Sequence, residues 1–468
     1  MASQNLKDVV PDRCSCVACK SRSREDEAFR TYTNRGRSTL APCSTTCAIH
    51  RRILQLVGFA IAFLVLWILR TGLPPTYGGI REYERRLPQH NLSLPFPEGK
   101  DGMYLRFAEY AQDSTSGFSD MLQSLLLMSH LAYLSNRSFV FEDVRSSCTM
   151  LPYSFHDVVL RPTRIPLNAF ISGPSAGGPV HVPRAVSTTY WDDVCPPSGV
   201  ERLSSEMEVK IHDGAALVDW WVTKISSTSG HCVEIGSVPP VFSQFLLGSD
   251  RILSLWPSLA DSPILRDFAW SPLVMSGVVR NLPLLTHPPT FLVPEVIEGL
   301  VVLHVPQGDY KRHCQQLSKW GKLYMGFNQF VELPDRLELP KFGSRKDPDA
   351  REKYYLQHCW PEMDGIAERL RSVRQENVHL RRVYVITDGR SWWVSRLGRV
   401  LAKDGWLVLK SGQDLQLDNE QKHVSTAIEM AIAERADVFV GNGFSTFSSN
   451  VVMLRTAKNV DPRSNRFW

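Results

Sequence analysis

Residues 421–450 read QKHVSTAIEMAIAERADVFVGNGFSTFSSN, and the fold is decided in this stretch. Apolar residues recur at helical spacing through 421–436. DVFVG (437–441) follows as a short buried-type strand, and another helix is expected to begin near Ser445. Between strand and helix, Gly441 and Gly443 permit close approach of the backbone to a ligand. Ser445, Thr446 and Ser448 bring hydroxyls and backbone N–H groups to a helix N-terminus, which is a natural seat for phosphate. Ser and Thr are also good plain N-caps, so the loop by itself has two readings.

The same alternation extends outward. GLVVLHV (299–305), RVYVIT (382–387) and WLVLK (406–410) read as strands, with helices over 361–377 and in WWVSRLGRVLAKDG, ending at Gly405. Toward the N-terminus, MYLRFAEY (103–110) reads as a strand. A Ser/Gly loop follows, then a helix over DMLQSLLLMSHLAYL (120–134) and a second strand, SFVFED (138–143). Strands alternating with helices predict parallel, doubly wound sheets. We expect an α/β chain of two domains facing a cleft, one over 101–295 and one over 296–468. The middle, 145–295, is rich in Pro and Trp and carries only short apolar runs, so its elements are not assigned.

The chain has 468 residues, 43% hydrophobic and 22% charged, with net charge +5. That balance permits a large core and shows no basic stripe, which argues against nucleic acid as a partner. ILQLVGFAIAFLVLWIL (53–69) is apolar on all sides and spans roughly 25 Å as a helix, so a single membrane anchor over 51–70 is expected. A buried core helix and a cleaved signal peptide are the other readings of that run. Residues 1–50 read as a disordered tail and 71–100 as a stem. Sequons at Asn91 and Asn136 both follow the run, which favours a cytosolic tail and a lumenal domain in the Golgi or ER, a single-pass type II arrangement. Five cysteines precede the run and five follow it, so the later group forms at most two disulfides within one chain. The tail cysteines have three readings: free thiols, a zinc site, or lipidation at Cys47.

The segment from Glu429 through GNGFSTFSS resembles the nucleotide-binding signature of the GDP-fucose protein O-fucosyltransferase family, its fungal-type members most. There an acidic residue precedes D-x-F-I-G-N and then S-S-F. By position the resemblance implies Glu429 on guanine, Ser445 and Thr446 on the diphosphate, Phe447 as the aromatic of the motif, and Gly443 in the donor loop. A carboxylate suits guanine, whose N1–H and amino group lie side by side. LHVPQGDYKRHC (303–314) resembles the family's H-x-R-R-G-D segment: His304, Gly308 and Asp309 match, while Pro306 and Gln307 stand in place of the arginines. SGFSDML (116–122) stands at the family's Gly-rich loop, placing Gly117, Phe118 and Ser119 beside the donor.

The resemblance extends loosely over most of 103–468. It implies a GT-B-like fold of two Rossmann-type domains, with catalytic roles for His304 and Asp309, and an inverting, metal-independent transfer of fucose from GDP-fucose. The acceptor would be a protein or glycan hydroxyl, with the GDP-sugar as donor substrate and no resident cofactor. The departures at Pro306 and Gln307 imply an alternative: a catalytically impaired protein that binds GDP-sugar or acts as a scaffold.

Overall fold

Short apolar strands each flanked by helices build two parallel sheets, seen in a computed structural model. It describes residues 52–59, 61–63, 65–66 and 72–468, apart from 109–116, 148, 150, 157–158, 180, 205–212, 237–239 and 341–347. The first sheet contains β1 (Tyr104–Phe107), β2 (Ser138–Phe141), β3 (Val186–Ser187), β4 (Val200–Leu203) and β5 (Cys232–Ile235), in spatial order β3-β2-β1-β5-β4. The second contains β6 (Ile297–His304), β7 (Arg382–Ile386), β8 (Val408–Ser411), β9 (Ala436–Gly441) and β10 (Asn465–Phe467), in order β8-β7-β6-β9-β10. Every neighbouring pair in both sheets is parallel. In the second sheet the strand order reverses between β6 and β9, the position where ligands sit in open α/β sheets.

α1 (Phe118–Leu134) explains why the two halves are not separate lobes. Leu122, Leu125, Leu126, Leu127 and Leu131 are buried, and so are Gln123, Ser129 and His130 on its other faces. A helix buried all round is sandwiched: α1 lies between its own sheet and the second half, and Gln123 Nε2 donates to Ser449 Oγ at 2.8 Å. α2 (Pro272–Leu285) likewise packs on α5 (Ser425–Glu434) of the second half. There the position of Gly277 is enforced, because a Cβ would lie 2.6 Å from Ile428 Cδ1. Trp270 Nε1 donates to Glu434 at 2.5 Å, and Asn281 exchanges two hydrogen bonds with the backbone of Gln416. One apolar core therefore runs through both halves.

The residues expected to form a stem differ from Pro74 onward. Helix Gly78–Arg85 is anchored before its start by buried Tyr77 and after its end by buried Leu87 and Gln89, and Arg184 pairs with Glu98 at 2.5 Å. The Tyr77 hydroxyl donates to the Glu420 carbonyl at 3.1 Å, so this segment reaches the second half. Its Pro and Gly residues suggested a spacer; its few apolar and hydrogen-bonding side chains tie it down instead.

Residues 1–73 form a unit apart from 74–468. The described part of the expected anchor is helical with exposed apolar side chains, including Phe59 and Leu66, and the rest of the expected anchor lies outside the described residues. No helix among the described residues is long and apolar enough to cross a membrane. The tail expected to be disordered, 1–50, lies outside the described residues. Disulfides join Cys195 to Cys232 and Cys314 to Cys359, all from the later group of cysteines.

Candidate functional site

β9 ends at Gly441, and the chain turns through Asn442, Gly443 and Phe444 into α6 (Thr446–Ala457), with Ser445 as N-cap. The turn is fixed from several sides. Asn442 Nδ2 donates to the Cys359 carbonyl at 2.6 Å, and Ser448 Oγ accepts from the Asn442 N–H at 2.9 Å. Arg455, fully buried in α6, donates to the carbonyl of Ala436 at 2.6 Å and to Asn465 Oδ1 at 2.7 Å, clamping the helix to β9 and β10. Burial without a full counter-charge pulls its guanidinium down to about 10, so it stays a cation at neutral pH.

The Ser445 side chain makes no capping bond to the helix. Among the described residues, the backbone N–H groups of Thr446, Phe447 and Ser448 have no protein acceptor. Three unpaired donors at a helix N-terminus, flanked by two hydroxyls, form an anion seat. The sequence reading of Gly443 needs a different reason: a Cβ there would lie 2.4 Å from the Tyr324 ring, so its missing side chain serves packing rather than approach of a ligand.

His304 closes β6 directly beneath this turn. Its Nδ1 is 3.0 Å from Ser448 Oγ, and its ring lies 4.6 Å from that of Phe447. Burial pushes the imidazole down to about 3, so it is neutral at physiological pH. It carries no charge for a phosphate, and its contacts make it a positioning residue for α6. Phe447 itself is buried against it.

After β6, Val305 and Pro306 lead to Gln307, whose N–H donates to Asp388 Oδ1 at 2.5 Å. Gly308 has φ +47°, and a Cβ there would lie 2.7 Å from Asp388 Oδ2. Asp388, from the turn after β7, thus shapes the loop that sequence similarity singled out. Asp309 is exposed at the start of α3 (Tyr310–Trp320) and makes no capping bond. The residue that turns toward the anion seat is its neighbour. Tyr310 lies beside Ser445, and burial raises its phenol well above the usual value. Lys311 stands 4.8 Å over the Trp360 ring and lines a cavity of about 770 Å³ with Glu352, Trp360 and Trp468, none of it contributed by the Ser445 loop. It is therefore not the replacement for the missing arginines. Arg312 is exposed.

Glu429 lies on α5, half-buried. Tyr384 donates to Oε1 at 3.2 Å, and Gly412 passes so close that a Cβ would lie 2.5 Å from the same oxygen. Burial raises the carboxyl to about 7, and the Tyr384 bond offsets part of that rise.

Of the Gly117–Phe118–Ser119 trio, the structure separates the roles. Gly117 is exposed at the N-cap of α1. The Phe118 ring stacks on Phe170 at 4.3 Å, so it serves the core rather than the opening. Ser119 offers its carbonyl, which accepts from Asn450 Nδ2 at 2.6 Å. The next residue, Asp120, accepts a hydrogen bond from Thr446 Oγ1. The first turn of α1 thus meets that of α6. No group of His, Cys, Asp and Glu suited to a metal occurs among the described residues.

Sequence comparison adds no assignment: no family model and no curated protein matches. Solved structures do match. POFUT1 in complex with GDP-fucose aligns over 78% of this chain and 98% of its own, at 14% identity and TM-score 0.50. NodZ alpha-1,6-fucosyltransferase soaked with GDP-fucose aligns over 75% and 92%, at 10% identity and TM-score 0.35. An Arabidopsis thaliana FUT1 mutant in complex with GDP aligns over 83% and 74%, at 12% identity and TM-score 0.34. The first of these likenesses extends over nearly the whole of POFUT1. The chain is an α/β protein of two parallel sheets with the fold of POFUT1.

Proposed function

We propose that this chain is a glycosyltransferase that takes GDP-fucose as donor and transfers fucose to a protein or glycan hydroxyl. It would work with inversion and without metal, from a domain held in the Golgi or ER lumen by the apolar run at 53–69. The observation that carries the reading is the anion seat at the start of α6, placed at the strand-order reversal of the second sheet. Diphosphate binds the free N–H groups of Thr446, Phe447 and Ser448 together with the Ser445 and Thr446 hydroxyls. Glu429, once ionised, accepts the two adjacent N–H donors of guanine. The likeness of fold to a protein solved with GDP-fucose supports the same donor. Two disulfides among the later cysteines suit an oxidising lumen.

A specific observation favours a second reading, a donor-binding protein with impaired transfer. Departure of GDP leaves charge on the β-phosphate, and a fixed cation there stabilises the transition state. Pro306 and Gln307 supply none, and Lys311 stacks on Trp360 instead. Binding and turnover separate the two readings. Calorimetry in EDTA should show GDP bound at least tenfold more tightly than ADP or UDP. Equal affinities would reject the guanine assignment, and no binding would reject both readings.

A further inference from the structure

The anion seat at the start of α6 is not open. Two hydrogen bonds, Gln123 Nε2 to Ser449 Oγ at 2.8 Å, buried, and Asn450 Nδ2 to the Ser119 carbonyl at 2.6 Å, partly buried, hold the N-terminal turns of α1 and α6 against each other. Ser449 and Asn450 are fully buried, so this spacing is set by the core. Asp120, in the first turn of α1, reaches across and takes the Thr446 hydroxyl proton as an acceptor. Asp120 makes no ion pair among the described residues. Its titratable neighbours among the described residues are Tyr310 and His313: burial keeps the phenol protonated and lowers the imidazole, a lowering that the charge of Asp120 opposes. The carboxylate therefore rests on helix N-terminal dipoles and one hydroxyl, the surroundings that favour an anion.

We infer that the Asp120 carboxylate is a built-in competitor for the donor diphosphate, a latch between the two halves that must swing away before the seat can be filled. The inference rests on the donor reading above and adds a regulatory contact to it. Two anions cannot share the seat: like charges a few ångströms apart repel strongly where water is scarce, and Thr446 has one hydroxyl proton to give. Apparent affinity for a diphosphate is then the intrinsic affinity multiplied by the fraction of molecules with Asp120 displaced. Guanosine, which has no phosphate, does not feel the latch.

The test uses the full-length chain in detergent, titrated with GDP and with guanosine. Asp120→Asn keeps the shape and an oxygen to accept from Thr446 but removes the charge; Asp120→Ala removes both. The expected result is a fall of about tenfold or more in the GDP Kd for both variants, with guanosine changed less than threefold. A native chain that binds GDP, with Asp120→Asn binding it equally or more weakly, overturns the latch and leaves the donor reading standing. Binding of GDP by neither native nor variant chains overturns both. Parallel gains for GDP and guanosine would also overturn the latch, since the effect would then not be on the phosphates.

Discussion

Glu429→Gln separates the chemistry of the guanine contact from its shape. The carboxyl titrates near 7 in the folded protein against an ordinary value of 4.5, because burial disfavours the charge. Guanine needs the ionised form. One pH unit below 7 about a tenth of the molecules carry it, so GDP affinity should fall about tenfold per unit as pH drops below 7, and level off above. The glutamine presents one carbonyl where the carboxylate presents two oxygens, and turns an N–H₂ toward the guanine donors. It should weaken GDP binding at pH 8 by about 1–3 kcal/mol and abolish the pH dependence. Stability moves the other way. The raised pKa means that the folded state holds a proton the unfolded chain has lost between pH 4.5 and 7, so this group's contribution falls as pH rises through that window. At pH 8 the ionised carboxylate costs the empty protein about 3 kcal/mol at most, and Glu429→Gln should raise its Tm there while leaving it unchanged near pH 4. Calorimetric GDP titrations from pH 5.5 to 8.5, with thermal melts of the empty protein, read both. Native affinity independent of pH, or the same profile in the glutamine variant, would refute the placement of guanine at Glu429.

Other outcomes follow from the same geometry. Asn91 and Asn136 are both exposed, so chain made in a eukaryotic secretory system should shift on glycosidase treatment, and replacing both asparagines should remove the shift. Protease protection of the tail instead of the large domain would contradict the lumenal orientation. Pro306→Arg with Gln307→Arg should raise GDP-fucose hydrolysis by about 10–100-fold, less if the new arginine at 307 pairs with neighbouring Asp388; a rate equal to the native one would refute the idea that this loop lacks a needed cation. Non-reducing peptide mapping should recover Cys195–Cys232 and Cys314–Cys359. Loss of the second, which closes a separation of 45 residues, should cost about 4 kcal/mol by chain entropy, checked by denaturant melts of Cys314→Ala with Cys359→Ala.

The centre of the second sheet was legible because β6, β7 and β9 read as nearly unbroken apolar runs, GLVVLHV above all, each bounded by a helix of clear period; β10, three residues reading NRF, carries no such run and was not foreseen. The start of α6 was legible for the same reason: Ser445 and Thr446 follow a strand that can only be internal. The middle was not. β3 has two residues and β4 and β5 four each, too short to show a period, and the connections between them are built from short helices and turns. Sequence similarity pointed at Phe118, Asp309 and Gly443, yet the first fills the core, the second is exposed, and the third makes room for Tyr324. What it did not show are pairings made far away along the chain: Asp120, inside the matched SGFSDML segment, meets a partner 326 residues on, Asp388 one 81 residues back, and no local pattern records either pairing. Tyr310 is the exception: it adjoins the matched motif, and a helix beginning there could have turned it toward the Ser445 loop.

Release of GDP from GDP-fucose is the most direct measurement of the central claim. The full-length chain should be incubated with GDP-fucose or a UDP-sugar in EDTA and the free nucleotide quantified over time. The account predicts metal-independent GDP release from GDP-fucose, none of UDP from the UDP-sugar, and loss of the GDP signal in Thr446→Val. Release from both donors alike, or no release and no binding of GDP-fucose by native chain, would contradict it.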